Sequence, residues 1–428
     1  MRPALLLSIL IYGLILAGLA TLQGALLALA LPLLVYLAAG LLDQPEQPRL
    51  SATRSLSADR VAPDVPILVR LSIANKGARL AEVLLEDRVP TALTVIEGTP
   101  RLLTTIAPGA TVELAYTVSA RRGVYRFAGL QAIAQDRLGL ISRRTFITAS
   151  GQLVVVPEVL KLRRMAIRPR RTQIYAGSIP ARQGGPGVEF FGVREYQSGD
   201  PTRWINGRAT ARHPEALFVN EFEQERVTEV GIILDVRWRS DVLTAHGSLL
   251  EYGVQAAAAL ASELLGQGNR VGLLLYGNIL DWTFPGYGKI QRERILRALA
   301  RAELGDAPAF EELDRIPTRL FPARAQLVLV SPLLPPDREV LMRLRARRYE
   351  LLVISPDPVA FEHSALGAER SVALGARVAR LERTVLLRGL RQAGIRVVDW
   401  NVEQPFHQVA AVAFSRAPRW SSSMGGPP

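Results

Sequence analysis

The sequence predicts a multi-domain chain: an N-terminal transmembrane helical hairpin, a β-sandwich and a C-terminal α/β domain with a parallel sheet. Residues 3–42 contain no Asp, Glu, Lys or Arg. Residues 61–157 form short alternating runs separated by turns, which is typical of a sandwich. After residue 229, continuous apolar runs alternate with helical patterns, as in parallel sheets. The predicted parts are a hairpin (1–42), linker (43–60), sandwich (61–157), basic linker (158–186), α/β domain (187–403) and tail (404–428).

The first forty residues are too long for one membrane span. As a single helix at about 1.5 Å per residue they would measure about 60 Å, twice the ~30 Å hydrocarbon core. The polar pair Gln23-Gly24 lies near the middle. We therefore expect two spans, over about 4–20 and 25–42, joined by a very short turn. Pro32 is expected to kink the second span.

A secretory signal peptide is the alternative, with Arg2 as its positive region and Ala28-Leu29-Ala30 as its cleavage site. The apolar run continues to Leu42, which favours the hairpin. Arg2 lies before the first span, and Arg49, Arg54 and Arg60 follow the second. By the positive-inside rule both ends of the hairpin are expected in the cytoplasm, so the protein is predicted to be integral to the cell membrane with cytoplasmic soluble domains.

Composition excludes several kinds of chemistry. The chain has no Cys, so it has no disulfide, thiolate metal site or cysteine nucleophile. The formal charge is +13, and nearly all of the cations are Arg, with Lys only at 76, 161 and 289. A basic balance is compatible with nucleic acid or anionic lipid. No pattern of a known nucleic-acid reader is present, so we expect no nucleic-acid partner.

The predicted sandwich begins with an alternating strand in which Ile67, Val69, Leu71 and Ile73 face inward. A turn at residues 75–77 follows. Further strands are predicted over residues 83–87, 93–96, 111–118, 123–127 and 153–157. The run KLRRMAIRPRR, residues 161–171, then leads into a Gly/Pro-rich stretch at 181–187. We interpret it as a solvated linker, with contact to anionic lipid as the alternative.

The predicted α/β domain contains buried strands over residues 230–235, 270–276, 325–330, 350–354 and 395–398. Ser248 and Glu251 form a capping box that opens a helix. Another helix is expected to start at Pro336-Asp337, and a long one to surround Val378, Leu381 and Val385. Ligands of such sheets bind beyond the carboxyl ends of the strands, where Asp235 lies.

The segment over residues 187–225 is too charged for a core and too aromatic for an ordinary loop. Asp200-Pro201 predicts a helix start with Asp200 as N-cap, and Gly199 allows a sharp turn before it. Residues 217–223 look extended, so Glu221, Glu223 and Glu225 would share one strand face, to pair with arginines, to bind a cation or simply to meet solvent. The candidate interaction residues are Glu189, Phe190, Arg194, Tyr196, Gly199, Asp200, Arg203, Arg208, Arg212 and Glu221.

The run GVEFFGVREYQSGDPTRWINGRATAR (187–212), followed by GIILD (231–235), closely resembles the signature of the bacterial family called domain of unknown function fifty-eight. The resemblance implies a Rossmann-like, von Willebrand factor A-like domain and a MoxR-type AAA+ ATPase as partner. It implies no established catalytic activity. The chain departs from the signature at Gly207, where the family usually has an aromatic residue.

The resemblance also implies a metal-dependent adhesion site of the pattern Asp-x-Ser-x-Ser, whose hard oxygen ligands suit Mg²⁺. The sequence there reads DVRWRS, so both serine positions are Arg, and Ser331-Pro332-Leu333 supplies no third acidic residue. We expect the arginines to pair with the carboxylate and to repel Mg²⁺. The predicted degenerate metal-site loop therefore comprises Asp235, Arg237, Trp238, Arg239 and Ser240, with Trp238 exposed as a partner surface.

Three functions follow from these observations. The favoured one is a membrane-anchored, non-enzymatic protein-interaction module, in contact with the lipid bilayer and with a MoxR-type ATPase, with no cofactor and no identified small-molecule substrate. The second is a hydrolase that uses the carboxylates of Glu189, Asp200 and Glu221. The third is an outward-facing, metal-dependent adhesion receptor. No phosphate-binding loop or nucleophile elbow supports an enzyme, so no catalytic residue is assigned.

Overall fold

The computed structural model describes residues 2–42, 47–135, 138, 140–162, 173–213, 215–227, 229–245, 247–277, 281–321, 325–366 and 370–414. Within these ranges the side chains of Arg2, 173–189, 191, 222–228 and 318 are not described. The chain divides into two compact units, Met1–Val156 and Pro157–Pro428.

Two apolar helices open the first unit, α1 (Arg2–Thr21) and α2 (Gly24–Leu42). Both are long and apolar enough to cross a membrane by length and composition. They are joined at Leu22, whose φ of 55° reverses the chain, and the amide of Gln23 donates to the Gly18 carbonyl over 3.2 Å. The two predicted spans are thus confirmed as helices, and Pro32 lies inside the second.

Nine strands complete the first unit: β1 Leu50–Leu56, β2 Arg60–Val61, β3 Ile67–Asn75, β4 Leu80–Asp87, β5 Thr94–Gly98, β6 Arg101–Ile106, β7 Thr111–Ser119, β8 Gly123–Gln135 and β9 Ser142–Val155. They form two sheets, ordered β1-β3-β7-β5 and β2-β9-β8-β4-β6, whose inner faces share one core. The inward positions predicted in β3 are all buried, because alternation places every second residue on the core face.

The structure corrects the predicted linker over residues 43–60, because β1 occupies Leu50–Leu56 and pairs with β3. Leu50, Ala52 and Leu56 pack against the core, so this polar-looking stretch is a strand with one apolar face. Arg54, which the sequence places beside a membrane, is instead fully buried in the sandwich.

The second unit contains β10 Gln173–Glu195, α3 Gly207–Arg212, β11 Phe218–Val227, β12 Glu229–Asp235, β13 Leu243–Thr244, β14 Gly247–Ser248, α4 Leu249–Gly266, β15 Arg270–Tyr276, β16 Asp281–Gly286, α5 Gly288–Ala300, β17 Gln326–Val330, α6 Asp337–Ala346, β18 Glu350–Pro356, α7 Pro358–Leu366, α8 Arg370–Gln392, β19 Arg396–Trp400 and α9 Phe406–Phe414. The main sheet has the order β16-β15-β12-β17-β18-β19. All its neighbours are parallel except the edge pair β15 and β16.

The elements of this sheet agree with the predicted strands and helices. Five parallel strands and the helices α4, α6 and α8 appear where the hydrophobic patterns place them. Ser248 caps α4, and its hydroxyl accepts the Leu250 amide over 3.1 Å. The edge strand β16 and helix α7 were not predicted. Pro285 inside β16 explains its place at an edge, where a missing amide costs no ladder bond.

Two predicted boundaries need correction in this unit. β10 begins at Gln173 and pairs with β11, so the second half of the predicted basic linker is a strand, while 163–172 lie outside the described residues. The predicted tail over 404–428 contains α9, which is held by an apolar stripe. Phe406, Ala410 and Phe414 lie on one helix face and are buried.

Candidate functional site

The signature segment is built on the antiparallel pair β10 and β11, whose register ends at Glu195 opposite Phe218. One further bond, from the Tyr196 amide to the Leu217 carbonyl over 2.7 Å, closes the ladder. The chain between these two residues leaves the sheet and carries most of the predicted interaction residues. The described side chains of this excursion are largely exposed or half-buried.

A bidentate ion pair organises this excursion. The guanidinium of Arg194 donates to both carboxylate oxygens of Asp200 over 2.8 and 2.7 Å, and the amide of Gln197 donates to the same carboxylate over 2.8 Å. Glu221 of β11 lies 3.7 Å from Nε of Arg194. The hydrogen bonds from Arg194 and Gln197 hold the pKa of Asp200 below its ordinary value. This carboxylate is therefore ionised at neutral pH.

The predicted helix cap at Asp200 is wrong. A single turn of 3-10 helix, Thr202–Trp204, follows Pro201 and has no side-chain cap, because the Asp200 carboxylate turns back to Arg194. The N-cap of the nearby helix α3 is Asn206, a residue with no predicted role. Its Oδ1 accepts the amides of Arg208 and Ala209 over 3.1 and 3.0 Å, and its Nδ2 donates to Asn220 over 2.7 Å. An Asn followed by Gly and helix-forming residues is the signal that could have revealed this cap.

The remaining predicted residues of the segment with described side chains are not members of this ion pair. Gly199 has a φ of 109°, so the predicted sharp turn is present and requires glycine. Phe190 is 62% exposed, and Arg203, Arg208 and Arg212 are exposed as well. The side chain of Glu189, like those of Glu223 and Glu225, lies outside the described part of the chain.

The second predicted site lies at the carboxyl edge of the main sheet, where Arg237 is fully buried. Its guanidinium donates to Asp235 over 2.8 and 2.7 Å and to Asp337 over 3.0 and 2.8 Å. Its fifth donor position reaches the Glu311 carbonyl over 2.9 Å. The guanidinium thus lies between two carboxylates, one at the end of β12 and one at the start of α6. The predicted pairing of Arg237 with Asp235 agrees with this geometry.

Asp337 and Ser331 complete the cluster and were not among the predicted site residues. Ser331, just after β17, donates its hydroxyl to Asp235 over 2.6 Å. Asp337 also accepts the amide of Leu334 over 2.8 Å, at the start of α6. The family pattern places an acidic residue at the strand exit itself, whereas in the structure Asp337 lies six residues after Ser331. We call Asp235, Arg237, Ser331 and Asp337 the edge cluster.

The charges of the edge cluster are set by competing effects. Burial alone would lower the pKa of Arg237, but its hydrogen bonds with Asp235 and Asp337 raise that pKa well above its ordinary value. Burial raises the pKa of Asp337, and the bonds from Arg237 oppose that rise. An arginine in this position is charged at every pH at which the protein is folded. The cluster is a cation with two acidic partners.

The side chains of the edge cluster do not suit a divalent metal ion. Mg²⁺ needs oxygen ligands in near-octahedral geometry at about 2.1 Å, and a guanidinium between the carboxylates blocks that position sterically and by charge. Among the described residues, no group of three or more His, Cys, Asp or Glu side chains has an arrangement suited to a metal ion. The implied adhesion-site metal would have to displace Arg237.

The residues after Arg237 form the exposed side of the same loop. Trp238, Arg239 and Ser240 make one turn of 3-10 helix, and the Ser240 hydroxyl donates back to the Arg237 carbonyl over 2.9 Å. Trp238 is 53% exposed. The expectation that Arg239 pairs with Asp235 is wrong, because its guanidinium points outward to Glu311 at 2.9 Å. The buried space between the carboxylates of Asp235 and Asp337 holds one guanidinium, and that of Arg237 occupies it.

A second buried arginine, Arg383, lies at the same carboxyl edge of the main sheet. Arg383 of α8 donates to Asp399 over 2.6 Å, to the Ser355 carbonyl over 3.1 Å and to the Pro332 carbonyl over 3.0 Å. It therefore joins the carboxyl ends of β17, β18 and β19. The sequence pattern of α8 gave no sign of this role.

Comparison with known proteins supports the resemblance in part. The model of the family described as "Protein of unknown function DUF58" matches residues 192–362. Uncharacterized proteins of Mycobacterium tuberculosis and Mycobacterium bovis are 30% identical over 190 residues, which is 42% of this chain and 57% of theirs. The chain therefore spans less than two thirds of the length of these relatives. The predicted similarity to domain of unknown function fifty-eight is confirmed over the matched residues.

Some solved structures match about a quarter of the chain. The CARDB domain of a Pyrococcus furiosus protein, described in complex with di-metal ions, matches with a TM-score of 0.18 and 16% identity over 26% of this chain and 92% of that domain. The cupredoxin domain of amoB from Nitrosocaldus yellowstonii matches with a TM-score of 0.19 and 13% identity over 26% and 89%. The von Willebrand A-like fold and the MoxR-type partner stay predictions, and the chain is similar to a family whose description assigns no function.

Proposed function

We propose that the protein is a membrane-anchored, non-enzymatic interaction module. One observation carries the proposal: at the sheet edge where α/β proteins usually hold ligands, the space is filled by the chain's own Arg237, while the next residue, Trp238, is presented to solvent. A filled edge with an exposed Trp and Arg suits a protein partner better than a small substrate, because these residue types are enriched at interface hot spots. The helices α1 and α2 would hold the module at the bilayer, with the soluble units in the cytoplasm.

The finer part of the proposal concerns fold type and partner. We propose that the second unit is of the von Willebrand A type, with a guanidinium in the place of the metal, and that its partner is a MoxR-type AAA+ ATPase. The parallel sheet with an aspartate at the end of its first strand supports the fold type. The partner is suggested by the family resemblance alone, so it is the part that an experiment should test first.

The hydrolase alternative has less support. Asp200 is bound to Arg194 and its pKa is lowered, so it would be a poor general acid. Glu221 also lies beside that guanidinium. Acid and base partners in hydrolases need pKa values that the environment pushes apart, and the shift found here at Asp200 is downward.

The test compares partner capture by the tagged full chain extracted from native membranes. Trp238→Ala is expected to abolish recovery of the ATPase with no change in melting temperature, because the side chain is half exposed. Phe284→Ala is the matched control, since Phe284 is a 73% exposed aromatic on β16 of the same unit, and it should retain the partner. Equal ATPase recovery with Trp238→Ala and wild type would contradict the proposed docking site.

Asp200→Ala tests the signature segment in the same experiment. The Arg194–Asp200 pair is partly exposed, so we expect a small change in melting temperature together with weaker partner capture. If the partner is retained while the melting temperature falls strongly, the ion pair stabilises the excursion and is not a docking element.

A further inference from the structure

Helix α8 carries an apolar stripe that no described residue of its own unit covers. Leu374, Val378, Leu381 and Val385 are 64%, 52%, 64% and 66% exposed. Their spacing of four, three and four residues places them on one narrow face of the helix. The buried residues of α8 begin only at Arg383 and continue with Leu387, Gly389 and Leu390. The stripe therefore lies largely on the half of the helix that has no buried residue.

The stripe has the pattern of a coiled-coil seam. With Leu374 and Leu381 at positions d, Val378 and Val385 occupy positions a, and the buried Arg383 occupies position f on the opposite side. A face restricted to positions a and d is narrower than the apolar face of a helix that lies in a bilayer surface. β-branched residues at a with Leu at d favour two parallel strands.

The charges beside the stripe specify the same arrangement. Arg377 occupies position g and Glu382 the following position e, and both are exposed. In a parallel pair, position g of one helix lies beside the next position e of its partner, so Arg377 would meet Glu382 of a second copy, twice by symmetry. In an antiparallel pair with the same overlap, like positions meet in reverse order. Arg377 would then meet Thr384 of the second copy and Glu382 would meet Gly375, so neither charge would have a counter-charge. Among the described residues, the ion pairs of α8 are those of Arg383 with Asp357 and Asp399.

We propose that α8 binds α8 of a second copy of this chain as a short, parallel, two-stranded coiled coil. The seam spans two heptads at most, so it buries less than the roughly 1,200 Å² of a standard interface and forms a weak dimer. Confinement of copies to one membrane raises their local concentration and favours such a contact. The dimer is independent of the proposed ATPase partner, because the seam does not include Trp238 or the signature segment.

Single cysteines test the seam, because the natural chain has none. Leu374→Cys and Val385→Cys are expected to form disulfide-linked dimers on oxidation of the full chain in its native membranes. Ile290→Cys on α5 is the matched control, since Ile290 is 72% exposed on another helix, and it should give at least tenfold less dimer. A parallel seam cross-links each variant with itself. Cross-linking only between Leu374→Cys and Val385→Cys in mixed membranes would show an antiparallel seam and overturn the proposal.

Charge variants separate the second copy from a lipid surface. In the Leu374→Cys background, Glu382→Arg should lower the cross-linked fraction severalfold, Arg377→Glu should do the same, and the double swap should restore it. If an anionic membrane covers the stripe instead of a second copy, Glu382→Arg would strengthen binding to vesicles that contain phosphatidylserine. In that case no cross-linked dimer would form, so the charge variants could not weaken one. Cross-linking equal to that of the control, or insensitive to both charges, would overturn the proposal. Unchanged melting temperatures confirm that each variant is folded.

Discussion

At the scale of single residues, Arg237 decides what the sheet edge can do. Transferring a guanidinium and two carboxylates from water to the interior is costly, and the four charge-assisted bonds to Asp235 and Asp337 offset that cost. The result is a rigid, self-contained cluster that fixes the loop carrying Trp238. The same arginine therefore occupies the place between the two carboxylates and belongs to the loop that carries Trp238.

Arg237→Ala should destabilise the protein by about 3–5 kcal/mol, because it leaves two buried carboxylates without their counter-charge. The measurement is chemical unfolding of the full chain in detergent, followed by tryptophan fluorescence. Arg239→Ala is the matched control, since its pair with Glu311 is exposed and should contribute less than about 1 kcal/mol. Equal effects of the two substitutions would show that the buried pairing is not important for stability.

The same variant tests whether a cation site lies beneath the guanidinium. Without Arg237, the oxygens of Asp235, Asp337 and Ser331 become available to a hard cation. We expect millimolar Mg²⁺ to raise the melting temperature of Arg237→Ala and to leave that of wild type unchanged. A wild type that loses stability on addition of EDTA would contradict the assignment of Arg237 as the resident cation.

Tyr276 gives a test in alkaline solution. Burial raises its pKa to about 12, and its hydroxyl donates to the Glu312 carbonyl. Because the folded pKa exceeds the ordinary value of about 10, the stabilisation is fully present below pH 10 and is lost as pH rises toward 12. Wild type should therefore lose on the order of 2 kcal/mol more than Tyr276→Phe over this range. Parallel stability curves for the two proteins from pH 9 to 12 would contradict this expectation.

At the scale of elements, a buried cluster of polar side chains joins the two sheets of the sandwich. Arg54 of β1 donates to both oxygens of Asp87 of β4 over 2.6 and 2.7 Å, and Tyr116 of β7 donates to the same carboxylate. The Arg54 guanidinium also lies 4.3 Å from the centre of the Phe127 ring. This polar cluster links β1, an edge strand of one sheet, to β4 of the other sheet, so it fixes the position of β1.

Arg54→Met should unfold or loosen β1 and cost about 3–5 kcal/mol, since Asp87 would remain buried without a counter-ion. Arg101→Met is the control, because Arg101 pairs with Glu86 on the exposed side of the same sandwich. Hydrogen exchange of the β1 amides is the most direct readout, and it should quicken in Arg54→Met alone. Unchanged protection of β1 would assign its stability to the apolar residues Leu50 and Leu56.

The strands and helices of both units could be predicted from the sequence because their signals are local. Alternation in β3 and the apolar runs of β12 and β15 reflect burial of the residues themselves. The burial of Arg54 and the second carboxylate partner of Arg237 could not be predicted, since Asp87 lies 33 residues from Arg54 and Asp337 lies 100 residues from Arg237. β1 was missed because four of its seven residues are polar, and only the packed fold shows that its apolar residues face the core. α9 was assigned to the tail although only His407 and Gln408 in it are polar.

At the scale of the whole molecule, composition predicts the membrane hairpin, while orientation depends on few charges. Arg54 cannot count among the positive charges at the membrane surface, because it is buried in the sandwich. Arg49 and Arg60 remain after α2, and Arg2 precedes α1. The positive-inside rule counts charges near the ends of the spans, so the expectation of a cytoplasmic body rests on these three.

Cysteine labelling in intact cells tests this orientation, again because the natural chain has no Cys. Gln23→Cys, in the turn between α1 and α2, should react with a membrane-impermeant maleimide from outside the cell. Leu243→Cys is 78% exposed on the second unit and should react only after the membrane is permeabilised. External labelling of Leu243→Cys would place the body outside and favour the signal-sequence interpretation. It would also remove the cytoplasmic ATPase from the set of accessible partners, so this one measurement decides between the proposed module and an outward-facing receptor.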